Sequence, residues 1–571
     1  MVKAEPTLVA RLREHARARP QKLAMHVLSH ARDEAALPVT YAELDLRARA
    51  IAAFLHARNA RTQRALLLMP TGLEYVTGFL GALYAGAIAV PAYPPESQRR
   101  QHLDRVAGLA RDAAPRFVLT CTSELPRLRG LIELVPELQA AELIALDAID
   151  LALADAYDSE QAALTPDLLA FLQYTSGSMA APKGVMVSHG NLVANELAIS
   201  ASLAFDEHDV MVSWLPLFHD MGLIGGLLQP LYVGASVVLM SALRFLERPL
   251  RWLTAISEYR ATVSGGPDFA YRMCVDRIDP AALQQLDLSS WRLAFCGSEP
   301  IRPGTLTSFS ERFAARGFRA SAAFPCYGLA EATLLVTGVQ PGSGLQVADG
   351  SVVSCGVTPP EHAVAIVDPA TLQEVPAGQS GEIWVSGPSV AQGYWQNPDA
   401  TASTFVRRGD RRYLRTGDLG FVRGAELFVS GRLKDLVIVR GRNLVPQDIE
   451  DFLATRIAAL QLGRIAAFAL QTDDGEAIGV AAELSRAAAR SMRPEPLCRA
   501  IVQAVHESVD EPARLVLLLG QGQLPRTSSG KLQRSGCALR FGAGELKTLA
   551  VYRDGVLESP QPTAASLPEH A

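Results

Sequence analysis

Apolar residues return at helical spacing over positions 8–18 and again over 41–57. Thr40 stands as an N-cap to the second run, and Glu43 follows three residues later, which makes a capping box. Positions 64–69 form a compact apolar run, 71–85 read as helix, 87–92 as extended chain and 117–121 as a short strand. Strands alternating with helices predict a mostly parallel sheet covered on both faces. The pattern returns further on. Positions 209–214 read as a strand before a glycine-rich turn, 236–240 (S-V-V-L-M) as a strand, and 261–265 and 293–296 as strands ending in small-residue turns. Ligands of open α/β sheets gather beyond such strand ends. Over 354–385 the pattern changes to short alternating strands, A-V-A-I-V-D and G-E-I-W-V-S-G, which predict a small β-subdomain. From G-R-L-K-D at 431–435 a smaller α+β unit runs to about Val551. Positions 559–571, rich in Pro, Ala and Ser, are expected to be disordered.

At 571 residues the chain is too long for one compact core. With 49% apolar and 20% charged residues it has the composition of an ordinary globular protein. The net charge is −5 and no basic stripe stands out, so nucleic-acid binding has no electrostatic support. The seven cysteines are scattered without a C-x-x-C pair, which suggests neither a zinc site nor a redox motif and fits a reducing compartment. The first nineteen residues are charged and lack the apolar core of a signal peptide. The most apolar stretch, 75–92, is broken by Gly78, Gly81, Gly86 and Pro91, so it reads as a buried helix followed by a strand. A cytoplasmic enzyme with no stable membrane insertion is the expectation.

Residues 174–184 read Y-T-S-G-S-M-A-A-P-K-G and follow the apolar segment 168–172, so they form a loop leaving a strand. Thr175, Ser176 and Ser178 offer hydroxyls to phosphate oxygens, Gly177 lets the backbone approach, and Lys183 adds positive charge. The G-x-x-x-x-G-K-[ST] spacing is absent. A serine- and glycine-rich loop alone would be a polar surface loop, but the whole string is far more specific. It resembles the phosphate loop of the adenylate-forming superfamily, and five further strings follow in that family's order. C-G-S-E-P-I-R at 296–302 resembles the adenine-edge strand and turn, and Y-G-L-A-E at 327–331 the segment that stacks adenine and holds magnesium. Y-L-R-T-G-D at 413–418 resembles the ribose-binding turn, G-R-L-K-D at 431–435 the interdomain hinge, and P-R-T-S-S-G-K at 525–531 the catalytic-lysine loop. Within the superfamily the chain is most similar to fatty acyl-AMP ligases, on V-P-A-Y-P-P (90–95), S-W-L-P-L-F-H-D-M-G-L-I-G (213–225), S-G-G-P-D-F-A-Y (264–271), V-R-G-R-N (439–443) and P-Q-D-I-E (446–450).

The resemblance implies an α/β fold with a large N-terminal AMP-binding domain of two α/β subdomains plus a small β-subdomain, over 1–431. A hinge at 432–434, a small mobile α+β C-terminal catalytic domain at 435–551 and a tail at 552–571 complete the implied organisation. It also implies a reaction: MgATP and a fatty acid give acyl-AMP and pyrophosphate, and the acyl group passes to the phosphopantetheine thiol of an acyl carrier protein or polyketide synthase carrier domain. Free CoA is the alternative acceptor, an aryl acid the alternative substrate, and a non-catalytic nucleotide or carboxylate binder the third reading.

Both reactants of the first step are anionic, so catalysis must be charge neutralisation plus positioning. By resemblance, Lys531 bridges carboxylate and α-phosphate. Glu331, with Thr175 near the same phosphates, holds Mg²⁺. Gly297, Ser298, Glu299, Tyr327, Gly328 and Leu329 line the adenine site, with Tyr327 stacking on the base. Asp418 takes the ribose hydroxyls, helped by Arg432. His219 walls the acyl site from the nucleotide, and Lys434 is the hinge. Standing alone, Glu331 would be a carboxylate at a helix N-terminus, Lys531 a solvated lysine flanked by Arg526 and Arg534, Tyr327 a core aromatic, T-G-D a mere turn and His219 a structural histidine. His189 reads as a capping-region residue. Four positions depart from the family pattern: Met179 where threonine is usual, Leu444-Val445 where His-Tyr is frequent, a short 336–354 segment where the branch carries an insertion, and Asp268 where asparagine is common.

Overall fold

The computed structural model describes residues 7–28, 36–93, 100–175, 182–348, 352–440, 442–461, 463–472, 475–491, 493–527 and 531–558. The chain divides into two compact units, the second comprising Gly417–Leu419 and the chain from Ser430 onward.

Two large sheets make the first unit. One has six strands in the order Glu142–Ala145, Phe117–Thr120, Arg64–Leu67, Ile88–Pro91, Leu169–Thr175 and Lys183–Ser188. Its pairings are parallel except the last, an antiparallel hairpin in which Thr175 faces Lys183. Side chains alternate between two cores: Ala65, Leu67, Phe117 and Leu119 enter one, Leu66, Val118, Ile88 and Val90 the other. Burial on both faces is why these strands read as unbroken apolar runs. The second sheet has eight strands, ordered Leu335–Gly338, Ala323–Gly328, Leu293–Cys296, Val263–Gly266, Val210–Ser213, Ser236–Leu239, Leu23–Val27 and Leu37–Thr40. Its interior is parallel and both edges are antiparallel. The capping box at Thr40 and Glu43 forms as the sequence predicts, opening the helix Tyr41–His56.

A five-stranded sheet of Ala363–Val367, Gly381–Ser386, Arg411–Arg423, Phe405–Arg408 and Glu426–Arg432 accounts for the alternating region. In the second unit Ile465–Thr472, Gly475–Glu483, Ala513–Leu519, Thr548–Arg553 and Val556–Glu558 form another five-stranded sheet, with helices Pro446–Arg456, Pro494–Val509 and Arg534–Gly542 and the hairpin Val437–Val439/Arg442–Leu444. Here too alternate residues feed two cores, Val480, Val516 and Leu518 against Ala481, Leu515 and Leu517.

Three local expectations change. The glycine-rich stretch after Trp214 is no turn: Met221–Leu228 winds as a π-helix capped by the Asp220 carboxylate, which accepts from Met221 N at 2.8 Å. A Cβ on Gly222 would collide with the Pro216 carbonyl, so glycine there serves close packing. The T-G-D string is not a turn either; Asp418 lies within the long strand Arg411–Arg423. Residues 552–558, expected in a disordered tail over 552–571, instead complete the strand Thr548–Arg553 and form the paired strand Val556–Glu558, while 559–571 lie outside the described residues. Among the described residues no helix is long and apolar enough to cross a membrane.

Candidate active site

The hairpin that carries the Ser/Gly loop is braced at its base. Tyr174 donates its hydroxyl to Asp112 Oδ2 at 2.5 Å, and Lys183 opens the returning strand. Thr175 ends the outgoing strand; Ser176, Gly177, Ser178 and Met179 lie outside the described residues. Lys183 Nζ sits 4.9 Å from the centroid of the Tyr394 ring, a cation–π approach. Gln173, on the same strand, donates from Nε2 to Phe218 O at 2.9 Å. This holds the L-F-H-D segment beside the loop strand. Half-buried His219 packs its ring 4.6 Å from Phe218, and its carbonyl accepts from Leu223 N at 2.8 Å.

The strand Ala323–Gly328 delivers Tyr327, nearly buried, and runs into the turn that bears Glu331. Gly328 is required there because a side chain would strike the Leu334 carbonyl. Leu329 N donates to that same carbonyl at 3.0 Å. Glu331 Oε1 accepts from the Tyr394 hydroxyl at 2.8 Å, and Glu331 O accepts from Ala391 N at 2.9 Å. Burial and the neighbouring Glu331 carboxylate push the Tyr394 phenol well above its ordinary value, so it stays a neutral donor. Lys183 and Glu331, 148 positions apart in sequence by subtraction of their numbers, thus meet at one tyrosine. Tyr394 was not singled out from the sequence. Its only local sign is the G-Y-W string, and no spacing rule links that to Glu331.

The strand Leu293–Cys296 ends at Gly297, Ser298 and Glu299, with Ser298 at φ +70°. Glu299 Oε1 accepts from Phe269 N at 2.7 Å, at the start of the helix Asp268–Arg277, where a carboxylate also suits the helix dipole. Asp268 is buried at the same helix start and accepts from Arg302 N and Thr305 Oγ1, each at 3.0 Å. Burial pushes its carboxyl up to about 7. The Asp268 carboxyl therefore ties the helix to the segment Arg302–Thr305. His189 is the first residue of the helix His189–Leu203, behind the Ser188–Asn191 capping box, and burial lowers it to about 4.

In the second unit Arg432 Nε reaches Asp418 Oδ1 at 2.6 Å. Lys434 lies in the short turn Leu433–Asp435. Arg534 is nearly buried; it donates to both Glu450 oxygens at 2.7 and 2.8 Å and to Asp435 Oδ2 at 3.3 Å. It is therefore an internal ion-pair residue and not the solvated flank of a basic loop. Lys531 is placed through its backbone: its N–H donates to Thr527 Oγ1 at 3.1 Å and its carbonyl accepts from Thr527 N at 2.8 Å, while Arg526 and Leu532 form a bridge around residues 528–530, which lie outside the described set.

The sequence profile of AMP-binding enzymes matches residues 12–395. The chain is 40% identical over 537 residues to a medium-chain-fatty-acid–[acyl-carrier-protein] ligase of Moorena producens, covering 89% of this chain and 90% of that protein. It is 36% identical over 584 residues to a long-chain-fatty-acid–AMP ligase of Mycobacterium marinum, covering 95% of this chain and 98% of that one. The crystal structure of fatty acyl-adenylate ligase from L. pneumophila in complex with acyl adenylate and pyrophosphate superposes with a TM-score of 0.73 at 38% identity, covering 96% of this chain and 98% of that chain. On strand order, ordered motifs and matches of this length, the chain belongs to the family of AMP-binding enzymes.

Proposed function

We propose that this chain is a fatty acyl-AMP ligase that loads a carrier protein. A fatty-acid carboxylate oxygen attacks the α-phosphorus of ATP, the bond from that phosphorus to the bridging oxygen of pyrophosphate breaks, and pyrophosphate leaves. The phosphopantetheine thiol of an acyl carrier protein or polyketide synthase carrier domain then attacks the acyl carbon; AMP leaves with the C–O electron pair and the thiol proton passes to water. The observation that carries this reading is the likeness, along 96% of the chain, to a ligase whose structure holds acyl adenylate and pyrophosphate, the two products of the first step. The carrier-protein ligase of Moorena producens points to the acceptor.

The side chains act by neutralising charge and positioning. Lys531 meets the carboxylate and α-phosphate. Lys183 and the Thr175–Ser178 loop cradle the triphosphate. Gly297, Ser298, Glu299, Tyr327, Gly328 and Leu329 take adenine, Asp418 with Arg432 takes the ribose hydroxyls, and His219 separates acyl group from nucleotide. Glu331 suits Mg²⁺, because its phenol partner is a neutral donor that leaves the carboxylate its charge. Among the described residues no cluster of three or more His, Cys, Asp or Glu could hold a metal, which suits an ion carried largely by nucleotide phosphates. Bound through Glu331 and Thr175, the ion supplies charge neutralisation at those phosphates. Lys434 is the pivot at which Lys531 is withdrawn before thiol attack. Seven free cysteines suit a reducing cytoplasm.

The test supplies purified protein with ATP, Mg²⁺ and fatty acids of graded length, and measures pyrophosphate release and the mass of the adenylate. Holo carrier protein or CoA is then added and the thioester weighed. Acylated carrier protein is the expected product. Thioester on CoA alone overturns the acceptor, and absence of pyrophosphate release with every fatty acid overturns the reaction.

A further inference from the structure

The turn that presents Glu331 runs against its own backbone preference. Thr333, two residues on, has φ +67° and ψ −62°, and Leu334 N closes on Ala332 O at 2.9 Å. This is the γ-turn with a positive central φ, a rare and strained conformation and costlier still for a β-branched residue. Such strain persists only where the surroundings over-determine it.

The surroundings here do so. Thr333 is buried and donates its hydroxyl to Ser389 O at 2.6 Å. Asn195 is fully buried on the helix His189–Leu203. Its Nδ2 donates to Ala332 O at 3.3 Å and to Leu335 O at 3.0 Å, and its Oδ1 accepts from Leu335 N at 3.1 Å. One helical turn earlier, Asn191 Nδ2 donates to Pro388 O at 2.8 Å and Val390 O at 3.1 Å. Residues four apart share a helix face, so one face grips both the strained turn and the segment 388–390. That segment continues to Ala391, whose N–H meets the Glu331 carbonyl, and to Tyr394, whose hydroxyl meets the Glu331 carboxylate. The circuit closes on one side chain.

We propose that Asn195, Thr333 and Tyr394 are positioning residues that preset the Glu331 carboxylate, the first two through its backbone turn and the third through its oxygen. The proposal rests on the role given to Glu331 above. A turn needed only for packing would be served by glycine at 333 without strain. It would have no use for a buried phenol on the carboxylate. Partners of this kind fix the direction of a metal-binding oxygen, and their loss typically weakens metal affinity or activity by about 10–100-fold.

The test uses the full chain and Tyr394→Phe, Thr333→Val, Thr333→Ser and Asn195→Asp. Mn²⁺ electron paramagnetic resonance, titrated in the presence of ATP and without fatty acid, reads metal–nucleotide affinity. Thermal unfolding reads the fold, and pyrophosphate release reads the reaction. We expect Tyr394→Phe and Thr333→Val to weaken Mn²⁺–ATP binding roughly tenfold or more, Asn195→Asp to weaken it likewise through the lost donors to Ala332 O and Leu335 O, and Thr333→Ser to keep most of the wild-type affinity. In a Glu331→Gln background Tyr394→Phe should add almost nothing, because coupled residues are non-additive. Full additivity in that background, or affinity within about twofold for Tyr394→Phe, Thr333→Val and Asn195→Asp alike, overturns the positioning role. If Glu331→Gln itself leaves Mn²⁺–ATP binding intact, the role of Glu331 falls, and the positioning proposal falls with it.

Discussion

Two carboxylates in the first unit and two in the second are held in contrasting ways. In the first, Glu331 takes the hydroxyl of Tyr394, and Asp268 takes a backbone N–H and the hydroxyl of Thr305. In the second, Asp418 and Glu450 take the guanidinium groups of Arg432 and Arg534. A neutral donor orients a carboxylate and leaves its charge available to a ligand, whereas a guanidinium cancels it. At Glu331 the first arrangement suits a group that meets a metal–nucleotide, whereas Asp268, pushed up by burial, ties its helix to the segment Arg302–Thr305. The second suits Glu450 as an anchor of the fold and Asp418 as a carboxylate steadied for the neutral ribose hydroxyls assigned to it, which need an acceptor rather than a net charge. The cations of the second unit divide likewise: Arg432 and Arg534 are engaged internally, while Lys531 is placed through its backbone and its ammonium is the one assigned to substrate.

Removing that ammonium tests the division most severely. Lys531→Ala should slow pyrophosphate release by about a thousandfold, in line with removal of one preorganised electrostatic donor. Its unfolding midpoint should stay with the parent, since the backbone bonds of the loop survive. Arg534→Met attacks the other class of cation. It removes the guanidinium from buried Glu450, which keeps the Ala467 N–H, and should cost roughly 3–5 kcal/mol in denaturant unfolding. Adding Glu450→Leu should recover much of that loss, because an apolar pair of similar volume is tolerated where a lone charge is not. Failure of the second substitution to help would mean that the ion pair organises more than its own charges.

Lys434→Pro sharpens the comparison at the turn between Arg432 and Asp435. Thioester formation should slow on the order of tenfold, with acyl-AMP formation within about twofold of the parent, if the backbone there gates the second step. Equal loss of both steps, followed by separate measurement of pyrophosphate and thioester, would remove the pivot as the explanation. Asp268→Asn tests the first unit through pH. The wild-type carboxyl is pushed up to about 7 by burial, whereas an unfolded aspartate ionises near pH ~4. Between those values the folded chain holds a proton that the unfolded chain has lost, so wild-type stability falls as pH rises through this window and levels off above it. Asparagine lacks that slope. The variant should gain on the wild type by roughly 3 kcal/mol at most between pH ~4.5 and pH ~8, as read by denaturant unfolding at each pH.

Much of this could be read before any coordinates were considered. The Thr40–Glu43 capping box, the double-sided strands at 64–69 and 87–92 and the alternating strands after 354 follow from rules acting over a few residues, and they form. The resemblance set Asp418 and Arg432 together at the ribose; the structure shows their side chains 2.6 Å apart. The glycines at 222, 225 and 226 were misread as a turn because composition cannot tell a flexible backbone from one that must pack closely. Nothing near Arg534 in the sequence marks it as buried, because its burial depends on Glu450, 84 positions away.

By itself, then, the sequence determined the local elements, the order of the motifs and the chemistry they can supply, since capping, periodicity and turn chemistry are settled by near neighbours. Tertiary structure alone decided that Tyr394 faces Glu331 and that Asn195 grips the strained turn at Thr333, across separations of 63 and about 140 residues. Those contacts exist only because two sheet edges and a helix pack together, and no pattern along the chain records which surfaces will meet.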